Sequence, residues 1–302
     1  MIRTPRFGRR IVILLPLVWL TAFFLVPTVI VLKISLSQVA IAQPPYTPVL
    51  DLAAGWDGLK SFVAGLTLEN YITLFGDPLY LAAYVKSLQV AALSTLLLLA
   101  SGYAIAYAMA RAPRRLQPLL LMLVVLPFWT AFLIRVYAWV TILQRDGLLN
   151  QALLALGIID TPLTWLATDT AVYIGIVYSY LPFMVLPLYA SLEKLDPTLL
   201  EAAADLGAPP WKTFWQVTVP LSLPGIVAGA LLCFIPIVGE FVVPDLLGSS
   251  STLMIGLTLW TEFFANRDWP LASAVAMVML LVLVGPIVLY RQLQARALVR
   301  RS

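Results

Sequence analysis

The sequence contains no histidine and a single cysteine, Cys233, among its 302 residues. Without histidine there is no imidazole base for a catalytic triad, no histidine-ligated metal and no imidazole proton relay. One cysteine excludes an intrachain disulfide and a cysteine-cluster metal site. Charge is scarce too: Asp, Glu, Lys and Arg together make up 11%, against about 25% in soluble domains. There is no GxxxxGK[ST] phosphate loop, so the chain is not expected to hydrolyse ATP alone. A GxSxG nucleophile elbow is also missing, as are the alternating strands of a membrane barrel. Little is left for a membrane-embedded enzyme to work with.

What is abundant is apolar. Hydrophobic residues reach 61%, against about 45–50% in soluble domains, and the mean hydropathy is +0.94. Too little polar surface remains to coat a water-facing globule. A helix needs about 20 apolar residues to cross the hydrocarbon core. Six stretches qualify: residues 11–32, 88–110, 119–143, 171–190, 224–247 and 271–290. They are read as helices because hydrocarbon offers backbone groups no partners. The expectation is an all-α integral membrane protein with six transmembrane helices in a single domain, 1–302, without internal repeats.

Basic residues set the orientation. Most of the 19 lysines and arginines fall in one set of segments. These hold Arg3, Arg6, Arg9 and Arg10; Arg111, Arg114 and Arg115; Lys194 and Lys212; and Arg291, Arg296, Arg300 and Arg301. The other side and the membrane share Lys33, Lys60, Lys86, Arg135, Arg145 and Arg267. Both termini are therefore expected in the cytoplasm. The net charge of +4 reads as a topology signal, and no nucleic-acid partner is expected. Basic residues before an apolar run also describe a signal peptide, and Ala40-Ile41-Ala42 mimics a cleavage site. The run from Ile11 to Leu32 exceeds the usual h-region of about 7–15 residues, so the first span is expected to be retained.

On the outer side lies a long connection, 33–87, rich in Pro and Gly and more acidic than basic in its middle. A structureless loop that long is unusual beside a compact bundle. The stretch LTLENYITLF, 66–75, reads as a short helix with Thr67 as N-cap. The remaining outer loops carry Trp165, Trp260 and Trp269, aromatics suited to the headgroup level.

The loop at 192–223 is the most informative on the inner side. Asp196-Pro197 is a helix start, a capping side chain followed by proline at the first helical position. Gly207 with Pro209 and Pro210 is a stop. Between them, Leu199, Ala203 and Leu206 share one face, and Glu201 and Asp205 form a like-charge i,i+4 pair. A helix lying on the inner leaflet should prefer Lys and Arg on its polar face. The acidic pair instead suits docking to a basic protein surface, and both readings stand at this point. A second short helix is expected from Pro210 to Val217.

The spacing Glu201-Ala202-Ala203, three residues, Gly207, nine residues, Val217-x-Val219-Pro220 resembles the EAA loop of ABC importer permeases. Val217 and Val219 stand where that pattern has Ile and Leu. The resemblance covers nearly the whole chain and implies a type I ABC importer permease fold. It also implies that Glu201, Ala202, Ala203 and Gly207 form the coupling contact with a separate ATPase. The stretches LPFWTAFLIRVYAWVTIL (126–143), IPIVGEFVVPDLLG (235–248) and ANRDWPLASAVAMV (265–278) look like the spermidine/putrescine branch. The implied partners are two ATPase subunits, a second permease chain or a copy of this one, an external solute-binding protein and membrane lipid. ATP and Mg would be bound by the ATPase, leaving no cofactor in this chain. The implied location is the bacterial inner membrane.

Two ionisable residues lie inside apolar spans, Arg135 and Glu240. A charge at the bilayer centre costs about 2.5–3.5 kcal/mol on insertion scales, so neither should face lipid. Glu240 is a candidate for a cation path, beside Pro236, Gly239 and Pro244, which interrupt helical hydrogen bonding. Asp245 would lie further toward the outer mouth. Trp129, Trp139, Tyr137, Tyr173, Tyr178 and Tyr180 could supply cation–π surface. The alternative is a structural salt bridge between Glu240 and Arg135, with the aromatics serving as packing. Gly225-Ile-Val-Ala-Gly229 permits a close helix crossing.

Overall fold

The computed structural model describes residues 6–51, 53 and 55–299. Arg3, Arg300 and Arg301, used above for orientation, lie outside the described residues. The chain divides into two compact units, residues 1–81 with 258–302, and residues 82–257.

In the first unit, α1 (Arg6–Leu20) runs through a π turn at Thr21–Leu25 into α2 (Val26–Ser35). The apolar stretch Val12–Ser35 is long enough to cross a bilayer, and none of its most apolar window is buried within the chain. The connection that follows is structured. It holds a two-stranded hairpin of β1 (Gln38–Val39) and β2 (Tyr46–Thr47), then α3 (Gly55–Ala64) and α4 (Glu69–Gly76). Leu68, rather than the expected Thr67, stands at the N-cap of α4, and Thr67 Oγ1 accepts from the Glu69 amide one position further out. Asn70 Nδ2 donates to the carbonyls of Ser35 and Ser37, tying the segment to the end of α2.

In the second unit, α5 (Pro78–Arg111) begins well before the span expected from Leu88, which shortens the connection. The stretch expected as one helix over 119–143 is two, α6 (Gln117–Val125) and α7 (Phe132–Leu143). Between them the chain makes a 3-10 turn at Leu126–Trp129 and an extended step at Thr130 and Ala131, bending the pair by 88°. Pro127 has no N–H to continue the ladder, so the break falls where the backbone bond is already lost. Next come α8 (Leu148–Ala155), α9 (Asp169–Leu192), capped by Thr168 Oγ1 on the Ala171 amide, and α10 (Thr198–Asp205).

The second short helix continues past Val217: α11 (Pro210–Thr213) passes through a π turn at Phe214–Thr218 into α12 (Val219–Leu221). A 67° bend then leads into α13 (Leu223–Val238). The stretch 224–247 is likewise broken, at Gly239–Phe241, before α14 (Val242–Leu247). Residues follow through α15 (Ile255–Trp260) to α16 (Trp269–Val299), which packs on α2 and α4 in the first unit.

The centre of the second unit is α9 against α13. Small residues make that approach possible. A Cβ on Gly225 would fall 2.7 Å from the Pro187 carbonyl, and one on Gly229 2.8 Å from Met184 Sδ. Leu188, Met184, Val185, Cys233 and Ile237 are fully buried there. Val12–Ser35, Pro78–Arg111 and Asp169–Leu192 are each long and apolar enough to cross a membrane, and the two bent pairs bring the number to five among the described residues.

Candidate functional site

The break between α13 and α14 builds a site around Glu240. Pro236 weakens the last turn of α13, Gly239 ends it, and Pro244 sits in the first turn of α14, where a missing N–H costs nothing. The first amides of α14 therefore need an acceptor. Glu240 supplies it: Oε1 accepts from the amides of Val242 (3.1 Å) and Val243 (3.4 Å). Oε2 accepts from the Tyr180 hydroxyl of α9 at 2.5 Å. The carboxylate is only 7% exposed, yet it lines a cavity of about 360 Å³ with Phe132, Tyr180, Pro236, Gly239, Phe241 and Val242. A buried carboxyl group is thus held by neutral donors among aromatic walls, with no ion pair to a cation among the described residues. Such a pocket suits an ammonium group, which trades hydration for a carboxylate and ring faces.

Arg135 is also buried, at 8% exposure. Its guanidinium lies 4.6 Å from the Phe128 ring centroid and 5.7 Å from that of Phe132. Nε and Nη1 are buried without a hydrogen-bond acceptor. Among the described residues, the one ion pair joins Lys86 and Asp169, so the Arg135–Glu240 salt bridge weighed above is not formed. The carboxylate is occupied by Tyr180 and the α14 amides instead, and the arginine rests on rings.

The other candidates are dispersed. Asp245 is exposed on the first turn of α14 and does not line the Glu240 cavity. Trp129 is exposed at the α6–α7 break, and Tyr137 is exposed on α7. Tyr178 packs edge-on against Trp139 and lines a separate cavity of about 280 Å³. Of the aromatics named from sequence, Tyr180 is the one that meets Glu240. Phe132 and Phe241 were not singled out, although Phe132 precedes Arg135 by three residues, a spacing that puts them on one helix face, and Phe241 follows Glu240 directly in the chain. Trp165, assigned to the headgroup level, donates its indole N–H to buried Asn150 Oδ1.

At the other end of α9 sits the loop carrying the Glu-Ala-Ala stretch. Asp196 Oδ1 accepts from the Thr198 amide, which holds its carboxyl below the usual carboxylate range. The far end closes as a Schellman motif: Gly207 N–H donates to Ala204 O and Ala208 N–H to Ala203 O. Gly207 has φ +76°, a conformation that a side chain would strain. No residue of α10 is buried. Glu201 and Ala202 are exposed and Ala203 is half-buried, while Leu206 at the cap is 88% exposed. A cavity of about 630 Å³ lies between this loop and the α9–α13 pair, lined by Ser191, Lys194, Asp196, Leu199, Leu221 and Gly225 among others. An Asp196 hydrogen bond precedes the helix, a Schellman motif closes it, and its apolar face is open.

Residues 99–298 match the family described as binding-protein-dependent transport system inner membrane component. The chain is 42% identical over 258 residues to the spermidine/putrescine transport system permease protein PotB of Haemophilus influenzae, covering 85% of this chain and 84% of that protein. It is 48% identical over 217 residues to the protein of the same name from Salmonella typhimurium, with 72% and 75% covered. A molybdenum transport system permease protein of Azotobacter vinelandii is 34% identical over 56% of this chain and 74% of its own length. Among solved structures, a bacterial ABC transporter involved in importing the acidic polysaccharide alginate aligns with a TM-score of 0.68 at 17% identity, covering 97% of this chain and 99% of that one. That last likeness concerns the fold.

Proposed function

The chain belongs to the family of inner membrane components of binding-protein-dependent transport systems, and from that footing we propose that it is the permease subunit of an ATP-driven polyamine importer. It is a multi-pass protein of the bacterial inner membrane and a transport component rather than an enzyme. The identity to spermidine/putrescine permeases along most of both chains supports the substrate class.

In this reading the chain crosses the membrane six times. Each bent pair counts as one span, and the 31-residue α16 supplies the sixth. Both termini and the α10 loop face the cytoplasm, in line with the distribution of Lys and Arg. Two ATPase subunits bind and hydrolyse ATP with Mg, a second permease chain completes the path (a different chain rather than a second copy), and an external binding protein delivers the solute.

Coupling runs through α10. One observation carries this part: a helix preceded by an Asp196 hydrogen bond and closed by a Schellman motif that leaves Leu206 and the Glu201 face uncovered by its own chain. Docked on an ATPase, the helix moves as a unit, because its Schellman motif and Asp196 cap resist fraying. The short α11–α12 segment transfers that motion to α13, and α13 ends at Gly239 beside Glu240. The solute path passes the Glu240 cavity, with Tyr180 and Phe132 in its wall. Arg135 rests on Phe132, and in this reading Trp129, Tyr137, Tyr178 and Asp245 belong to other parts of the path, outside that cavity.

The decisive experiment is reconstitution of the complete complex in proteoliposomes, with the binding protein outside and ATP inside. ATP-dependent uptake of labelled spermidine or putrescine, lost in Glu201→Lys, is expected. Uptake without an ATPase, or undiminished by that substitution, overturns the reading.

A further inference from the structure

Arg135 and Glu240 are each more than nine-tenths buried, and neither has a charged partner among the described residues. A lone charge in a low-dielectric interior is strongly unfavourable. Here two of opposite sign share one aromatic neighbour, Phe132. Phe132 lines the cavity that holds Glu240, and the same ring lies 5.7 Å from the Arg135 guanidinium. A second aromatic route joins them: Phe128 meets Phe183 edge-on at 5.1 Å, Phe183 lies 6.1 Å from Tyr180, and Tyr180 donates to Glu240.

The arginine's perch is a weak one. Cation–π attraction to Phe128 and Phe132 offsets part of its burial, but Nε and Nη1 find no acceptor. Glu240 in turn has a face toward open space instead of toward a cation. Closing the pair would relieve both charges, and Phe132, which touches the guanidinium and lines the Glu240 cavity, is the residue it would have to pass.

We propose that Arg135 is a specificity- and release-determining residue whose guanidinium competes with a solute ammonium group for Glu240. In the arrangement seen here the guanidinium is not paired with the carboxylate, which is held by Tyr180 and the α14 amides and borders the cavity where a solute ammonium would meet it. When the path closes, the arginine reclaims Glu240 and expels the ammonium. A polyamine has further ammonium groups with which to offset that competition. A monoamine meets the same competitor with nothing in reserve, and is rejected. This inference rests on the reading of the chain as a polyamine permease.

The test is ATP-dependent spermidine uptake by the reconstituted complex, comparing wild type, Arg135→Gln, Arg135→Lys and Glu240→Gln. Arg135→Gln is expected to lower KM by about tenfold, the equivalent of about 1.4 kcal/mol of lost competition. It should lower kcat as well, because release slows, and should admit monoamines. Arg135→Lys keeps a competing cation and should restore wild-type KM and kcat. Glu240→Gln should lose uptake, and adding Arg135→Gln on that background should not restore it. An unchanged or raised KM in Arg135→Gln, with normal wild-type uptake, overturns the arginine's role alone. Arg135→Met retains the stem against the two rings should the glutamine variant not assemble. If only Arg135→Lys assembles, the arginine is structural and the proposal falls. A wild-type complex that takes up no spermidine overturns the substrate reading instead.

Discussion

The Tyr180 hydroxyl donates to Oε2 of Glu240 at 2.5 Å, while Oε1 of the same carboxylate closes the first turn of α14. One side chain thus joins α9 to α14 at a break in the backbone. Its two oxygens do separable jobs, and substitutions can tell them apart.

Tyr180→Phe removes the hydroxyl and leaves the ring. A hydrogen bond to a charged group contributes about 1.5–3 kcal/mol. Spermidine uptake is expected to fall by about tenfold or more, with the complex still assembled. Uptake kinetics alongside gel filtration of the complex would check this; unchanged uptake would show that the hydroxyl does not serve the path.

Glu240→Gln keeps an oxygen for the Val242 and Val243 amides and an NH₂ that can donate to Tyr180. The break should therefore stay folded while cation uptake is lost. Glu240→Ala strips the cap as well and is expected to cost about 0.5–2 kcal/mol more, the usual range for a lost helix cap. Thermal unfolding of the purified complex measures the second effect and uptake the first. A glutamine variant that transports normally would confine Glu240 to capping.

At Gly207, φ +76° puts a side chain in the left-handed region at a cost of about 1–2 kcal/mol. Gly207→Ala should loosen the end of α10 and reduce ATP-driven uptake. Basal ATP hydrolysis by the ATPase should persist, so the ratio of solute carried to ATP hydrolysed is the quantity to measure. It should fall.

Gly229→Leu drives a side chain into Met184 and Pro187, where a Cβ alone already stands 2.8 Å from sulfur. Overpacking of this kind costs about 1–3 kcal/mol. The expected outcome is a lower unfolding temperature of the complex. Substitution at Gly157, where a Cβ would meet nothing within 4 Å, serves as the control for space, although its positive φ adds its own strain.

Asp196 offers a pH test. The Thr198 amide holds its carboxyl below the usual range in the folded loop. A depressed folded value means the cap is fully present above the ordinary carboxylate pKa and is lost as pH falls through the lower, folded one. Pepsin cleavage within α10 should rise in that acid window, and in Asp196→Ala it should already be high above it. Cleavage indifferent to both pH and substitution would count against the cap.

Much of the loop was legible in the sequence because its signals are local. Asp196 reaches an amide two residues on, and the Gly207 and Ala208 amides reach carbonyls three and five residues back, so spacing alone conveys both. Thr67 before α4 also bonds an amide two residues on, although the cap position itself falls to Leu68. The breaks within 119–143 and 224–247 were less legible. Hydropathy averages over a window and reports continuous apolar runs, while Pro127 and Gly239 interrupt hydrogen bonds one residue at a time. The salt bridge between Arg135 and Glu240 was a fair expectation from charge alone, and it failed because nearer neutral donors satisfy the carboxylate.

By itself the sequence determined the class of solvent: too few charges to face water, and enough apolar length to cross lipid. It also determined the helix that ends at Gly207, since capping depends on neighbours within one turn. Only the tertiary structure decided that Tyr180, rather than Tyr178 or Tyr137, meets Glu240, and that Arg135 rests on Phe128 and Phe132. Those choices depend on how α9, α7 and α13 rotate against one another. That rotation follows from the summed packing of many side chains, among them the small contacts at Gly225 and Gly229, and no single spacing along the chain encodes it.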